Sequence, residues 1–76
     1  MRRYKKKSEF KYIIWYENEG KGSIKNTNGE TMWYNSKYAF EGARLFAKDK
    51  NKKVLVQKGY NVWRVTPDGN QEQIQK

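Results

Sequence analysis

The chain contains no cysteine and no histidine among its 76 residues. Without cysteine it has no disulfide and no thiol nucleophile, and without histidine it lacks the side chain that most often serves as a general base near neutral pH. The same two absences remove the commonest zinc ligands. The sequence therefore predicts a protein that is not an enzyme and that uses no metal and no cofactor.

Long hydrophobic runs are also missing. No stretch approaches the roughly 20 apolar residues that a helix needs to cross a bilayer, and no apolar segment of signal-peptide length follows the charged start. These absences predict a cytoplasmic protein that does not contact a membrane. The length suits one domain, and a domain of this size buries only about 60% of its unfolded surface.

Three short segments resemble catalytic or ion-binding motifs but lack a required part. PDGNQEQ (67–73) lacks the lysine of the Pro-Asp…Glu-x-Lys pattern of metal-dependent nucleases. The Gly-Lys pair in NEGKGS (18–23) lacks the spacing and the following helix of a phosphate loop. Glu17 and Glu19 supply far fewer oxygen ligands than a calcium loop. All three segments are better explained as turns, which agrees with a non-catalytic protein.

Acidic residues are few, since 8 Asp and Glu stand against 17 Lys and Arg, a formal net charge of +9. A positive field of this size favours polyanionic partners, although it also serves solubility. Five cations fall within the first seven residues: Arg2, Arg3, Lys5, Lys6 and Lys7. Because blocks of like charge are extended and solvated, residues 1–9 are predicted to form a flexible basic arm.

Aromatic and β-branched residues dominate the segment after this arm. FKYIIWY (10–16) predicts a strand, and SIKNT (23–27) predicts a second, short one. Asn28-Gly29 offers the two positive-φ positions of a tight type I′ turn, after which ETMWYN (30–35) returns as a third strand. Residues 10–35 are therefore predicted to form a three-stranded meander.

A helix is predicted next, from about Lys37 to Asp49, with Ser36 as its N-cap. Its small and aromatic residues share one broad arc, whereas its charged residues occupy the narrow remainder. Asn51 is a candidate C′ residue, because asparagine tolerates the left-handed conformation that ends many helices. The small residues on the arc allow this helix to pack closely on a sheet.

KVLVQK (53–58) and NVWRVT (61–66) predict two further strands. The polar residues 71–76, which follow a strong turn signal, are predicted to be a tail or at most a short edge strand. The predicted fold is thus α+β: a small antiparallel β-sheet of order β-β-β-α-β-β with one helix packed on one face, within a single domain at 10–70.

The meander followed by a close-packed helix resembles, over about residues 10–49, the small three-stranded DNA-binding domains of some phage-type integrases. The resemblance is one of element order, and the two strands after the helix depart from it. Fold likeness alone does not transfer function.

One helix can cover only one face of a sheet. Strand 10–16 carries apolar residues on both faces, with Ile13 and Trp15 opposite Ile14 and Tyr16. An apolar and basic patch is therefore predicted on the uncovered face, and such patches mark contact surfaces. The alternative is that bends at Gly20, Gly22 and Gly59 let the strands curl into a half-barrel that buries both faces.

This chemistry suits nucleic acid, because exposed aromatics stack on bases while Lys and Arg hold phosphates. DNA and RNA are not distinguished. The predicted nucleic-acid-binding residues are Arg2, Arg3, Lys5, Lys6, Lys7, Lys11, Trp15, Lys25, Trp33, Lys58 and Arg64. The alternative is an accessory protein, of the kind phages and mobile elements carry, that docks on an acidic protein and inhibits or modulates it. Homodimerisation through an edge strand or the uncovered face is compatible with either function.

Overall fold

The computed structural model describes residues 11–76, so the predicted arm at 1–9 and Phe10 lie outside the described residues. The elements in chain order are β1 (Tyr12–Tyr16), β2 (Met32–Trp33), α1 (Ser36–Lys50), β3 (Val54–Lys58), β4 (Asn61–Val65) and β5 (Gln71–Gln75). All strand pairs are antiparallel and follow the order β2-β1-β3-β4-β5. The predicted α+β class, with one helix on one face of the sheet, is confirmed.

The core lies between α1 and one face of the sheet. Side chains alternate along a strand, so every second residue of β1, β3 and β4 points at the helix. Ile14, Val54, Val56 and Val65 are fully buried there. The helix contributes three buried alanines at four-residue spacing, Ala39, Ala43 and Ala47. These short side chains bring the helix close to the branched residues of the strands.

The first residue of the helix is Ser36, and its N-cap is Asn35 rather than the predicted Ser36. Asn35 has extended backbone angles, and its side-chain oxygen accepts a hydrogen bond from the Tyr38 N–H at 3.2 Å. Asparagine and serine are both good N-caps, so the residue type does not distinguish them. The extended backbone of Asn35 makes it the cap. The helix ends as predicted at Asn51, which is left-handed (φ 55°) and whose N–H bonds the carbonyl of Ala47.

Gly42 is required where the helix crosses Trp33. A Cβ placed on Gly42 would lie 2.9 Å from Cη2 of the Trp33 ring, closer than side-chain atoms approach one another. The benzene edge of the indole therefore lies against the helix at Gly42, and Trp33 is 9% exposed. Its Nε1 donates to the carbonyl of Ile24 at 3.5 Å.

The predicted strand at 23–27 is reduced to a single bridge between Ile24 and Ile14. The reason is the side chain of Asn26, whose oxygen accepts from the N–H groups of Asn28 and Glu30 while its nitrogen donates to the Met32 carbonyl. Such side-chain bonds replace a strand ladder. Gly29 has positive φ (81°) but Asn28 does not, so the predicted type I′ turn is absent.

The fifth strand is instead the C-terminal one, since Gln71–Gln75 pairs with β4 along the sheet edge. Of the two predictions for this segment, tail or edge strand, the edge strand is the one that forms. β1 is bordered by β3, which follows the helix, so the meander on which the integrase resemblance rested is not present. The strand order is linear from β2 to β5.

Candidate functional site

The face of the sheet opposite α1 is called here the open face. It carries the other half of the strand residues, of which Ile13, Trp15, Leu55 and Arg64 are half-buried. Residues 11–76 contain no second helix to cover it. The β1–β2 connection touches one margin, where a Cβ on Gly22 would lie 3.9 Å from Cγ2 of Ile13. The open face thus combines half-buried apolar side chains, and the buried Val62, with the Arg64 guanidinium.

Strand register places the residues of the open face in rows. The central row runs Trp15, Leu55, Arg64, Glu72 across β1, β3, β4 and β5. Neighbouring strands are about 4.8 Å apart, so the backbones of Trp15 and Arg64 are separated by roughly 10 Å. An aromatic ring and a guanidinium therefore lie within reach of one ligand.

The indole of Trp15 has a cation beside it. Lys21, from the β1–β2 connection, places its Nζ 5.6 Å from the ring centroid. At an exposed site this cation–π contact contributes about 0.5–1 kcal/mol.

Arg64 forms a two-point ion pair with Glu17, the residue after β1. Nε lies 2.9 Å from Oε1 and the second guanidinium nitrogen lies 3.2 Å from Oε2. This hydrogen bonding lowers the pKa of the Glu17 carboxyl below its usual value, and the charges of Arg64 and Lys53 act in the same direction. The same bond raises the pKa of Arg64. Both side chains remain about one-third exposed, at 31% and 37%.

The predicted site residues divide between the two faces. Trp15 and Arg64 meet on the open face, and Lys11, just before β1, is half-buried beside it. Trp33 lies on the helix side inside the core and is 9% exposed, its remaining surface lining a groove beside α1. Lys58 also lies on the helix side, with its Nζ 5.5 Å from the Tyr12 ring centroid. The arm residues Arg2, Arg3, Lys5, Lys6 and Lys7 lie outside the described residues.

Lys25 belongs to a third surface, a groove between α1 and the β1–β2 connection, with a volume of about 690 Å³. Tyr34, Tyr38 and Leu45 line it and are 45%, 62% and 68% exposed. The sequence does not predict this groove, because Tyr38 and Leu45 extend the apolar arc of the helix and such a position favours burial. Their position at the margin of that arc was the available signal.

Two further residues of the open face, Glu17 and Lys21, were also missed as parts of the site. From the sequence, Glu17 is considered only as a possible cation ligand, because its partner Arg64 lies 47 positions away. Within residues 11–76 no three carboxylates come together closely enough to hold a metal ion.

Comparisons with protein-family models, with curated proteins and with solved structures gave no match.

Proposed function

We propose that this chain binds nucleic acid on its open face and performs no chemical step on it. The observation that carries the proposal is the placement of Trp15 and Arg64 in one row of a sheet face that the helix leaves uncovered. Bases stack on exposed indoles, and arginine holds phosphates through a two-point contact. The net charge of +9 supplies the long-range attraction.

The arm residues extend this proposal to a larger footprint. Arg2, Arg3, Lys5, Lys6 and Lys7 would contact successive phosphates, which adds affinity without reading sequence. Lys11 begins the described chain beside the open face, so the arm and the sheet would bind one continuous strand.

Anisotropy titrations of labelled single- and double-stranded DNA and RNA test the proposal. If six to ten phosphates are contacted, the affinity falls by about 10³–10⁵-fold between 50 and 200 mM salt. A variant lacking residues 1–9 should bind more weakly and show a shallower salt dependence. Negligible affinity at low salt, or affinity indifferent to salt, contradicts the proposal.

The groove favours a second function, docking on an acidic protein. Three large apolar side chains are exposed together there, and Lys25 lies at the same surface. Exposed aromatic clusters of this kind are typical binding hot spots. Replacing Tyr38 and Leu45 by serine distinguishes the two functions, because nucleic-acid affinity should be unchanged if the open face is the site. A loss of that affinity would place the contact on the helix side.

A further inference from the structure

The Glu17 carboxylate occupies the position on Arg64 that a phosphate would take. Both of its oxygens accept from the guanidinium, at 2.9 and 3.2 Å. This fork-to-fork arrangement is the one arginine uses for carboxylate and for phosphate alike. Because both side chains are about one-third exposed, the pair is open to exchange with an incoming anion.

The indole of Trp15, at the other end of the same row, also has a side chain of this protein beside it. Lys21 places its Nζ 5.6 Å from the centroid of the Trp15 ring, where a stacked base would displace it. Leu55 lies between Trp15 and Arg64 and provides an apolar floor. The row therefore offers a surface for one base, a spacer and a two-point phosphate contact.

We infer that Trp15, Leu55 and Arg64 form a nucleotide subsite for single-stranded nucleic acid, and that Glu17 occupies its phosphate position in the free protein. The inference rests on the proposed function and names its ligand class. A base must be unpaired to lay its face on an indole embedded in a sheet, since a duplex presents base edges and not base faces. Glu17 then lowers affinity twice, by occupying Arg64 and by repelling the phosphate.

Glu17→Gln tests the phosphate position. The variant keeps the size of the side chain but removes its charge, so oligothymidylate should bind about 3–10-fold more tightly at low salt, with a salt slope steeper by up to about 0.7. Glu41→Gln is the matched control, because it makes the same change in net charge on the exposed helix surface. It should tighten binding by less than about 2-fold.

The double variant with Arg64→Gln isolates the contact. If Glu17 acts by occupying Arg64, Glu17→Gln in the Arg64→Gln background should tighten binding by no more than Glu41→Gln does.

A duplex of the same length tests whether the protein prefers single strands. Trp15→Leu should abolish the preference for the single strand, while Trp15→Phe should retain most of it. Circular dichroism melting of each variant confirms that it is folded.

The outcomes distinguish a failure of nucleic-acid binding from a failure of the subsite alone. If the unmodified protein binds no nucleic acid, the proposed function itself is overturned. If it binds but Glu17→Gln behaves like Glu41→Gln, or the gain persists without Arg64, the subsite is wrong while nucleic-acid binding stands. A preference for the duplex that Trp15→Leu does not change likewise overturns the subsite.

Discussion

The two faces of the sheet begin from similar residues and end in different environments. On the helix side, Ile14 and Val56 are adjacent across β1 and β3 and have 0% exposure. On the open face, Ile13 and Leu55 lie on the same two strands and remain half-buried. The difference is made by α1, whose alanines pack on one face and leave the other without a helix.

The two faces use their apolar residues differently. The covered face uses them for stability, and its centre contains no charged side chain. The open face intersperses them with Arg64, Glu17 and Lys21, which are paired with each other or with a ring. The charged groups of the open face are partly exposed, whereas the side chains at the centre of the core are sealed from solvent.

Truncating two adjacent isoleucines of β1, one on each face, tests most strongly whether the two faces differ in packing. Ile14→Ala should lower the free energy of unfolding by about 2–5 kcal/mol, because it leaves a cavity under the helix. Ile13→Ala removes the same atoms from a half-buried position and should cost less than half as much. Urea denaturation measures both, and equal losses would show that the open face is as well packed as the core.

Two of the tryptophans, Trp15 and Trp33, test whether binding and stability belong to different faces of the sheet. Trp15→Leu should weaken single-strand binding by about 1–3 kcal/mol per stacked base while changing stability little. Trp33→Leu should instead lower stability and leave single-strand binding nearly unchanged, because Trp33 packs on Gly42 inside the core. Anisotropy and thermal melting of the two variants test this, and the comparison fails if both variants lose the same property.

Two glycines test how closely the helix approaches the covered face. Gly42→Ala should destabilise the protein by about 1–3 kcal/mol despite the better helix propensity of alanine, since its Cβ meets the Trp33 ring. Gly20→Ala is the control, because a Cβ there has nothing within 4 Å. If Gly42→Ala stabilises the protein in thermal melting, the close packing of Trp33 on the helix is wrong.

The smallest expected effect concerns pH. The pKa of Glu17 is lowered by its bond from Arg64, and the pKa of Asp68 by bonds from the Thr66 hydroxyl and the Asn70 N–H. Each carboxylate therefore adds stability above its usual pKa, which is lost as the pH falls through the lowered value. The chain has no histidine.

The melting temperature should accordingly be nearly level from pH 8 to pH 5 and fall below about pH 4, the range of the usual pKa values of these two groups. Asp68→Asn should make the acid-side fall shallower, as should Glu17→Gln. A transition near pH 6.5, or an acid-side fall unaffected by both substitutions, would contradict this assignment.

Local patterns in the sequence were sufficient for the parts of the fold that depend on periodicity. Alternation in FKYIIWY placed Ile13 and Trp15 opposite Ile14 and Tyr16, and the 3.6-residue period placed the helix alanines on the sheet side. The Asn51 cap was predictable because few residues adopt positive φ. These features need no knowledge of distant residues.

The remainder depended on contacts that local patterns do not encode. The side chain of Asn26 takes the hydrogen bonds that a strand at 23–27 would have made. β5 has no apolar alternation because all its residues are exposed at the sheet edge. Trp33 could be assigned to a face only once its pairing with Tyr12 was known, and the Glu17–Arg64 pair joins residues 47 positions apart.

The most direct measurement is an NMR titration of the protein with oligothymidylate, following the backbone amide signals and the side-chain N–H signals of its tryptophans and arginines. Binding on the open face predicts that Trp15 Nε1–H and Arg64 Nε–H shift first and furthest, while the tryptophans of the helix side, Trp33 and Trp63, change little. Shifts concentrated at Tyr38, Leu45 and Trp33, or no shifts at all at low salt, would contradict it.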